Sequence, residues 1–247
     1  VKVKTILVTQ PNPDKEKSPY FELAKKFSVK VDFRPFIHVQ GIPSIDFRKD
    51  KINLSQFTSV IFTSRYAADH FFRICSEMRV TDLDRYKYFC VSESTAFYLQ
   101  KFMEFRKRKI FYGKLNIYDL ITILKKHTGD RFLLPCSDIH KQEIPDTLSA
   151  HGIAFTKAVI YRTVCSDLSD LANVNYDMLV FFSPSGVTSL FKNFPSFKQN
   201  NTRIAAFGMT TTQAVMDAGL RLDVKAPVPE APSMTMAIEK FLRISNK

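Results

Sequence analysis

The residues in this 247-residue chain whose types and spacing could do chemistry are hydroxyl residues set at the starts of helices. Phe181-Phe182-Ser183-Pro184-Ser185-Gly186 closes a short apolar run with a polar corner, and Val187, Leu190, Phe191 and Phe194 then return at helical spacing. Ser183 or Ser185 can cap that helix, because a hydroxyl oxygen accepts from the unpaired N–H groups of a first turn. The same N–H groups and the helix dipole make such a corner a seat for an anion. A capped helix without any ligand reads identically, so one corner decides nothing.

The corner recurs. Ile61-Phe62-Thr63-Ser64-Arg65-Tyr66-Ala67-Ala68 is likewise an apolar strand closed by hydroxyl residues and continued as a helix. Thr95, 31 residues after Ser64, lies in Val91-Ser92-Glu93-Ser94-Thr95-Ala96, and Thr211, 28 residues after Ser183, lies in Phe207-Gly208-Met209-Thr210-Thr211. One strand–corner–helix–strand–corner–helix unit thus appears twice. Two such blocks facing one another across a cleft would offer it four hydroxyl-rich helix starts.

Other chemistries find less support. Cys75, Cys90, Cys136 and Cys165 form no CxxC pair, and His38, His70, His127, His140 and His151 form no i,i+4 pair. No metal site is expected, and the cysteines read as reduced, buried thiols. The formal charge of +12 favours an acidic partner, and the excess is spread along the chain instead of forming a tail. Its one dense cluster, Arg106-Lys107-Arg108-Lys109, contains no aromatic residue and reads as a solvated loop before a strand. No nucleic-acid reader motif accompanies it, so no nucleic-acid partner is expected. No apolar run approaches the ~20 residues that span a bilayer, and Val1–Val8 reads as a strand, which leads us to expect a cytoplasmic protein without a membrane partner. No interface stripe marks an oligomer, so a monomer is expected.

The elements that must position the corners alternate along the chain. Strands are expected at 5–9, 29–33, 59–62, 88–91, 109–112, 131–134, 178–182 and 204–207, with a short one at Val224. Helices are expected at 20–27, from Ala67 to Cys75, from 92 through Phe102, at 117–127, 143–150, 186–194 and 211–218, and after Ser233. Segments 36–40 and 155–164 read as extended and flank a complete α/β block. The alternation predicts an α/β fold of parallel sheets flanked by helices, with the corners gathered at the carboxyl edges of the strands.

In this order the motifs resemble uroporphyrinogen-III synthase. The resemblance rests on Val60-Ile61-Phe62-Thr63-Ser64, Val91–Ala96, Val159-Ile160-Tyr161-Arg162-Thr163, Phe181–Gly186, Ala205–Thr211 and the tail Ala214–Leu220 with Ala226 and Pro229, nearly the whole length of the chain. It implies two similar α/β domains joined by a two-stranded β-ladder: a discontinuous domain of residues 1–35 plus 165–247, linker strands at 36–43 and 158–164, and a second domain at 44–157. It implies a cyclising hydro-lyase of tetrapyrrole and heme biosynthesis that closes hydroxymethylbilane to uroporphyrinogen III with inversion of ring D and loss of water. No metal or organic cofactor is implied, and the substrate would be handed over from hydroxymethylbilane synthase. Eight substrate carboxylates suit a basic cleft.

By the same resemblance Tyr161 is the acid that assists hydroxide departure, since a phenol near pKa ~10 stays protonated at neutral pH. Without it, Tyr161 reads first as a packed strand tyrosine whose hydroxyl merely finds a partner. Thr63, Ser64, Thr95, Ser183, Ser185, Gly186, Thr210 and Thr211 match positions that line the cleft, and Lys141 is a further carboxylate contact. The chain departs from the family pattern at Gln10, where many members carry arginine, and at Met209, where many carry proline. The competing reading is a non-enzymatic, two-lobed binder of an anionic small molecule, which would use the same corners without needing Tyr161.

Overall fold

The computed structural model describes residues 2–13, 18–114, 116–139, 142–172 and 174–246. The elements follow one another as β1 (Thr5–Val8), α1 (Pro19–Phe27), β2 (Lys30–Phe33), β3 (Ile37–Gly41), α2 (Ser44–Phe47), β4 (Ser59–Phe62), α3 (Arg65–Glu77), β5 (Lys87–Cys90), α4 (Glu93–Tyr98), β6 (Ile110–Tyr112), α5 (Ile117–Leu124), β7 (Phe132–Ser137), α6 (Glu143–Ala150) and β8 (Phe155–Cys165). They continue as β9 (Met178–Phe181), α7 (Pro184–Asn193), β10 (Arg203–Phe207), α8 (Met209–Asp217), β11 (Val224–Ala226) and α9 (Met234–Ser245). The expected alternation of strand and helix is present throughout.

The chain divides into two compact units, one of residues 1–38 and 164–247 and the other of residues 39–163. Among the described residues the first holds a parallel sheet ordered β11-β10-β9-β1-β2. The other sheet runs β3-β8-β7-β4-β5-β6 and is parallel from β8 to β6. All four residues of β4 and of β9 are buried, as strands covered by helices on both faces must be. In the first unit, Ile6, Val8 and Val180 pack with Leu23 of α1 and Ile238 of α9, while Leu7, Leu179 and Phe181 turn to Val187 of α7 and Val215 of α8. In the second, Val60 and Phe62 meet Ala67, Ala68 and Phe71 of α3, and Ile61 and Phe89 meet Leu120 and Leu124 of α5.

Strand order fixes where ligands can enter. From β1 the first sheet grows one way to β2 and the other way through β9, so its connections diverge between β1 and β9. The second sheet diverges likewise between β4 and β7. In open α/β sheets the crevice at such a switch point, beyond the carboxyl ends of the strands, is the natural binding position. Ser183 follows β9 and Ser64 follows β4, so each unit carries a hydroxyl corner at its own switch point.

Several boundaries differ from the sequence reading for identifiable reasons. β7 continues through Pro135 to Ser137 instead of ending at Leu134. Its pairing with β4 stops at Leu133 while β8 runs on beside it, so the proline's missing N–H interrupts no ladder on the β4 side. α4 ends at Tyr98, and residues 99–101 tighten into a 3₁₀ turn. The short α2, where no helix was expected, follows Pro43. No helix among the described residues is long and apolar enough to cross a membrane.

Candidate functional site

In the second unit, the ends of β4 and β7 and the middle of β8 line an open cavity of about 350 Å³ bordered by Thr63, Ser64, Leu134, Cys136, Ser137, Ile139, Ile144, Pro145 and Tyr161. Ser64 is the N-cap of α3: its backbone is extended, and its Oγ accepts from Ala67 N at 3.1 Å. The Tyr161 hydroxyl lies 3.5 Å from that same Oγ. Three of the sequence-predicted residues therefore share one cavity, at the switch point.

Tyr161 reaches this position through an irregularity in β8. Cys136 pairs with Val159, but Ser137 pairs with Tyr161, so the register slips at Ile160. Regular alternation would send Ile160 and Tyr161 to opposite faces of the sheet. The slip lets Ala158, Ile160 and Tyr161 all pack into the cluster that includes Ala67, Ala68 and Phe71 of α3. Asp138 holds the end of β7 against this step. Its N–H donates to the Tyr161 carbonyl at 3.2 Å, and its carboxylate accepts from Ser137 Oγ, Ile139 N and Thr163 N. Burial would raise the Asp138 carboxyl, but these hydrogen bonds outweigh it and hold the group below its ordinary value.

The electrostatics keep the Tyr161 hydroxyl in its protonated form. Burial pushes the Tyr161 phenol above its ordinary value, the bond with Ser64 offsetting only part of the shift, so the hydroxyl stays protonated at neutral pH. Burial likewise raises the Cys136 thiol, which leaves it a protonated, weakly polar wall and no nucleophile. The His70 ring, a residue sequence reasoning did not single out, lies 5.1 Å from the Tyr161 ring with 20° between planes.

Thr95 is placed differently from the other hydroxyls of this unit. Ser92, not Thr95, caps α4, and the buried Thr95 hydroxyl bonds to Ser92 Oγ at 3.0 Å. Lys141 lies outside the described residues.

In the first unit, Ser183 caps α7, its Oγ accepting from Gly186 N at 3.2 Å. Gly186 is buried, and a Cβ there would stand in ordinary contact with Phe181, Ser183 and Thr9. Ser185 is half-buried in the first turn of α7. The adjacent strand β10 leads into α8 through Gly208, whose φ of +84° only glycine adopts without strain. No side chain caps α8. Its first turn carries the exposed Thr210 and the buried Thr211, so N–H groups at an uncapped helix start stand beside a free-facing threonine. Met209, 80% exposed, occupies the first helical position, which also suits proline.

The same sheet edge carries a feature that the sequence reading missed. A cavity of about 320 Å³ is lined by Tyr20, Phe33, Phe182 and Phe207, with Gln10 at its wall and the capping serines Ser18 and Ser233 of α1 and α9 beside them. Phe182 and Phe207 stack at 5.8 Å, and Tyr20 meets Phe33 edge-on at 5.5 Å. In the sequence these rings have the spacing of ordinary core residues. Only the turns after β1, β2, β9 and β10 bring them to one rim.

Comparison with known proteins points one way. The family model of uroporphyrinogen-III synthase HemD matches residues 18–236. A uroporphyrinogen-III synthase of Chlorobaculum parvum is 21% identical over 98% of this chain and the whole of that protein, and one of Saccharomyces cerevisiae is 29% identical over 51% of each. The crystal structure of uroporphyrinogen-III synthetase from Helicobacter pylori shares the fold, with a TM-score of 0.61 at 18% identity, covering 98% of this chain and 99% of that one. With most of its length matched by the family model and its hydroxyl corners seated at the switch points of two parallel sheets, the chain belongs to the uroporphyrinogen-III synthase family.

Proposed function

We propose that Tyr161 is the general acid with which this chain cyclises hydroxymethylbilane to uroporphyrinogen III, inverting ring D. The observation that carries this reading is the buried, protonated Tyr161 hydroxyl, 3.5 Å from Ser64 in a cavity at the switch point of its sheet. As the C–O bond of the ring A hydroxymethyl group breaks, the phenol gives its proton to the departing oxygen, which leaves as water. The azafulvene cation so formed is attacked by the substituted carbon of ring D. The resulting spiro intermediate fragments and recloses through the other carbon of that ring. A carbon proton is lost as the last pyrrole regains aromaticity, and it restores the phenol. The pyrroles supply the electron push, so the protein's task is positioning and exclusion of water, not strong acid or base chemistry.

The corners serve as grips for carboxylates. Ser64 and Thr63 in one unit, and Ser183, Ser185 and Thr210 in the other, present hydroxyls at helix starts, the buried Thr211 backs the α8 corner, and the uncapped start of α8 adds backbone N–H groups. Gly186 keeps the α7 corner small. Thr95 supports its corner from within, by its bond to Ser92. Lys141 adds a cationic contact to the same substrate, which arrives from hydroxymethylbilane synthase, and the protein acts as a cytoplasmic monomer without metal or organic cofactor. Incubating the purified protein with hydroxymethylbilane tests the function. Isomer III is expected well above the isomer I that forms spontaneously, whereas binding of the bilane without isomer III would identify a carrier.

A further inference from the structure

The irregular step that aims Tyr161 is held from the neighbouring helix. Arg73 and His70 stand three residues apart on α3, hence on one helical face. One terminal nitrogen of the Arg73 guanidinium donates to the carbonyl of Ile160 at 3.1 Å and to that of Ile42 at 2.8 Å. The first of these carbonyls immediately precedes Tyr161, where the register of β8 slips. The second lies just past the end of β3, whose Ile42 N donates to the same Ile160 carbonyl at 3.0 Å. Arg73 Nε donates to His70 Nδ1 at 3.3 Å, which leaves the imidazole proton on Nε2. Burial, and secondarily the guanidinium, push His70 below its ordinary value against the pull of Asp69, so the ring stacked on Tyr161 is neutral at pH 7.

Two further residues complete the arrangement. Gly41 leaves the space the guanidinium occupies, since a Cβ there would stand 2.8 Å from three of its atoms. Glu77 pairs with another guanidinium nitrogen of Arg73 and also accepts from Ser44 N at 3.1 Å. Arg73 thereby commits four of its five N–H groups inside its own unit, with little left for a substrate carboxylate.

We infer that Arg73 is a positioning residue for Tyr161: by binding the Ile160 and Ile42 carbonyls and the His70 ring, it fixes the backbone step and the stacked wall that aim the phenol. This inference rests on the reading of Tyr161 as the acid. A catalytic group displaced by about 1 Å can lose up to ~10²-fold in rate. R73A is therefore expected to lower kcat by about tenfold or more while KM stays within about twofold.

The double variant Y161F/R73A separates positioning from general scaffolding. If Arg73 acts through Tyr161, adding R73A to Y161F changes kcat by less than about twofold. A kcat for R73A within about twofold of wild type would overturn the inference, as would a loss confined to KM, or a loss in the double variant that multiplies the two single losses. Should R73A fail to fold, G41A carries the test, because it displaces the guanidinium and keeps its charge: a lowered kcat with unchanged KM is expected, and a normal kcat overturns the inference. Y161F with normal turnover would refute the acid assignment itself. Slow Y161F beside normal R73A and G41A would refute only the role of Arg73.

Discussion

Ser64 holds two structural relations on one oxygen, and Ser64→Ala separates them. Its Oγ accepts from Ala67 N at 3.1 Å as the N-cap of α3, and it stands 3.5 Å from the Tyr161 hydroxyl. Loss of the cap costs about 1 kcal/mol of stability, a fall of a few degrees in Tm. Loss of the tyrosine's partner removes a long hydrogen bond at the weak end of the range, ~0.5 kcal/mol net, which lowers kcat about twofold if the bond fixes the phenol in the transition state. Ser183→Ala is the matched reference. Its Oγ caps α7 from 3.2 Å in the same way and costs a similar ~1 kcal/mol, but no tyrosine hydroxyl bonds to it. Calorimetry and rates of isomer III formation measured over a range of substrate concentrations should therefore show comparable stability losses in both variants and a raised KM in both, since each loses a carboxylate grip, with the kcat loss confined to Ser64→Ala. Equal kcat losses, or a normal kcat for Ser64→Ala despite the lowered Tm, would refute the coupling of Ser64 to Tyr161.

Two further predictions concern stability. Lys87 donates to both carboxylate oxygens of Asp130, at 3.0 and 2.9 Å, and that side chain is 12% exposed. Lys87→Met is expected to cost ~1–3 kcal/mol in urea unfolding. Burial alone would raise Asp130, but the bonds from Lys87 and Ser59 hold it low, so the loss should shrink as the pH falls through the carboxylate range; a variant as stable as wild type at pH 7 would count against this. At the alkaline end, burial, followed by smaller charge effects, pushes Tyr86 up to about 12. Burial together with the Asp32 carboxylate that accepts its hydroxyl does the same for Tyr176. A folded value raised above the unfolded one stabilises fully below the unfolded value near 10 and is lost as the pH rises through the folded value. The buried Cys75 and Cys90 thiols, also pushed up to about 12 by burial, begin to lose their contribution above a thiol's unfolded value of ~8.5, so Tm should fall progressively from about pH 9 to 12, and a Tm level to pH 12 would contradict these assignments.

The elements most legible in the sequence were those set by local pattern. The apolar run Val180-Phe181 and the hydroxyl after it mark β9 and the cap of α7, because a buried parallel strand and an N-cap leave their signatures within a few residues. Ser64 was legible for the same reason. At Ser92–Thr95 the pattern left the cap undecided between neighbouring hydroxyls, and the structure gives the cap to Ser92 and turns Thr95 inward. What the sequence hid depends on pairing. The slip at Ile160 exists only relative to β7, so strand periodicity could not announce which face Tyr161 takes. His70 and Arg73 read as ordinary polar positions on an amphipathic helix, and their significance comes from two carbonyls supplied by β8 and the end of β3. The one local signal was Gly41 in a strand, which often marks a close approach of other atoms. The aromatic rim of Tyr20, Phe33, Phe182 and Phe207 was likewise invisible, since strand order alone collects it.

The acid role of Tyr161 is tested most directly by single-turnover conversion of hydroxymethylbilane by Tyr161→Phe, with isomers I and III resolved. Phenylalanine keeps the ring that stacks on His70 and removes only the proton donor. If Tyr161 is the acid, the variant is as stable as wild type to within ~1 kcal/mol and forms isomer III ~10²-fold or more slowly. Turnover within about threefold of wild type, at an unchanged ratio of isomer III to isomer I, would contradict that role.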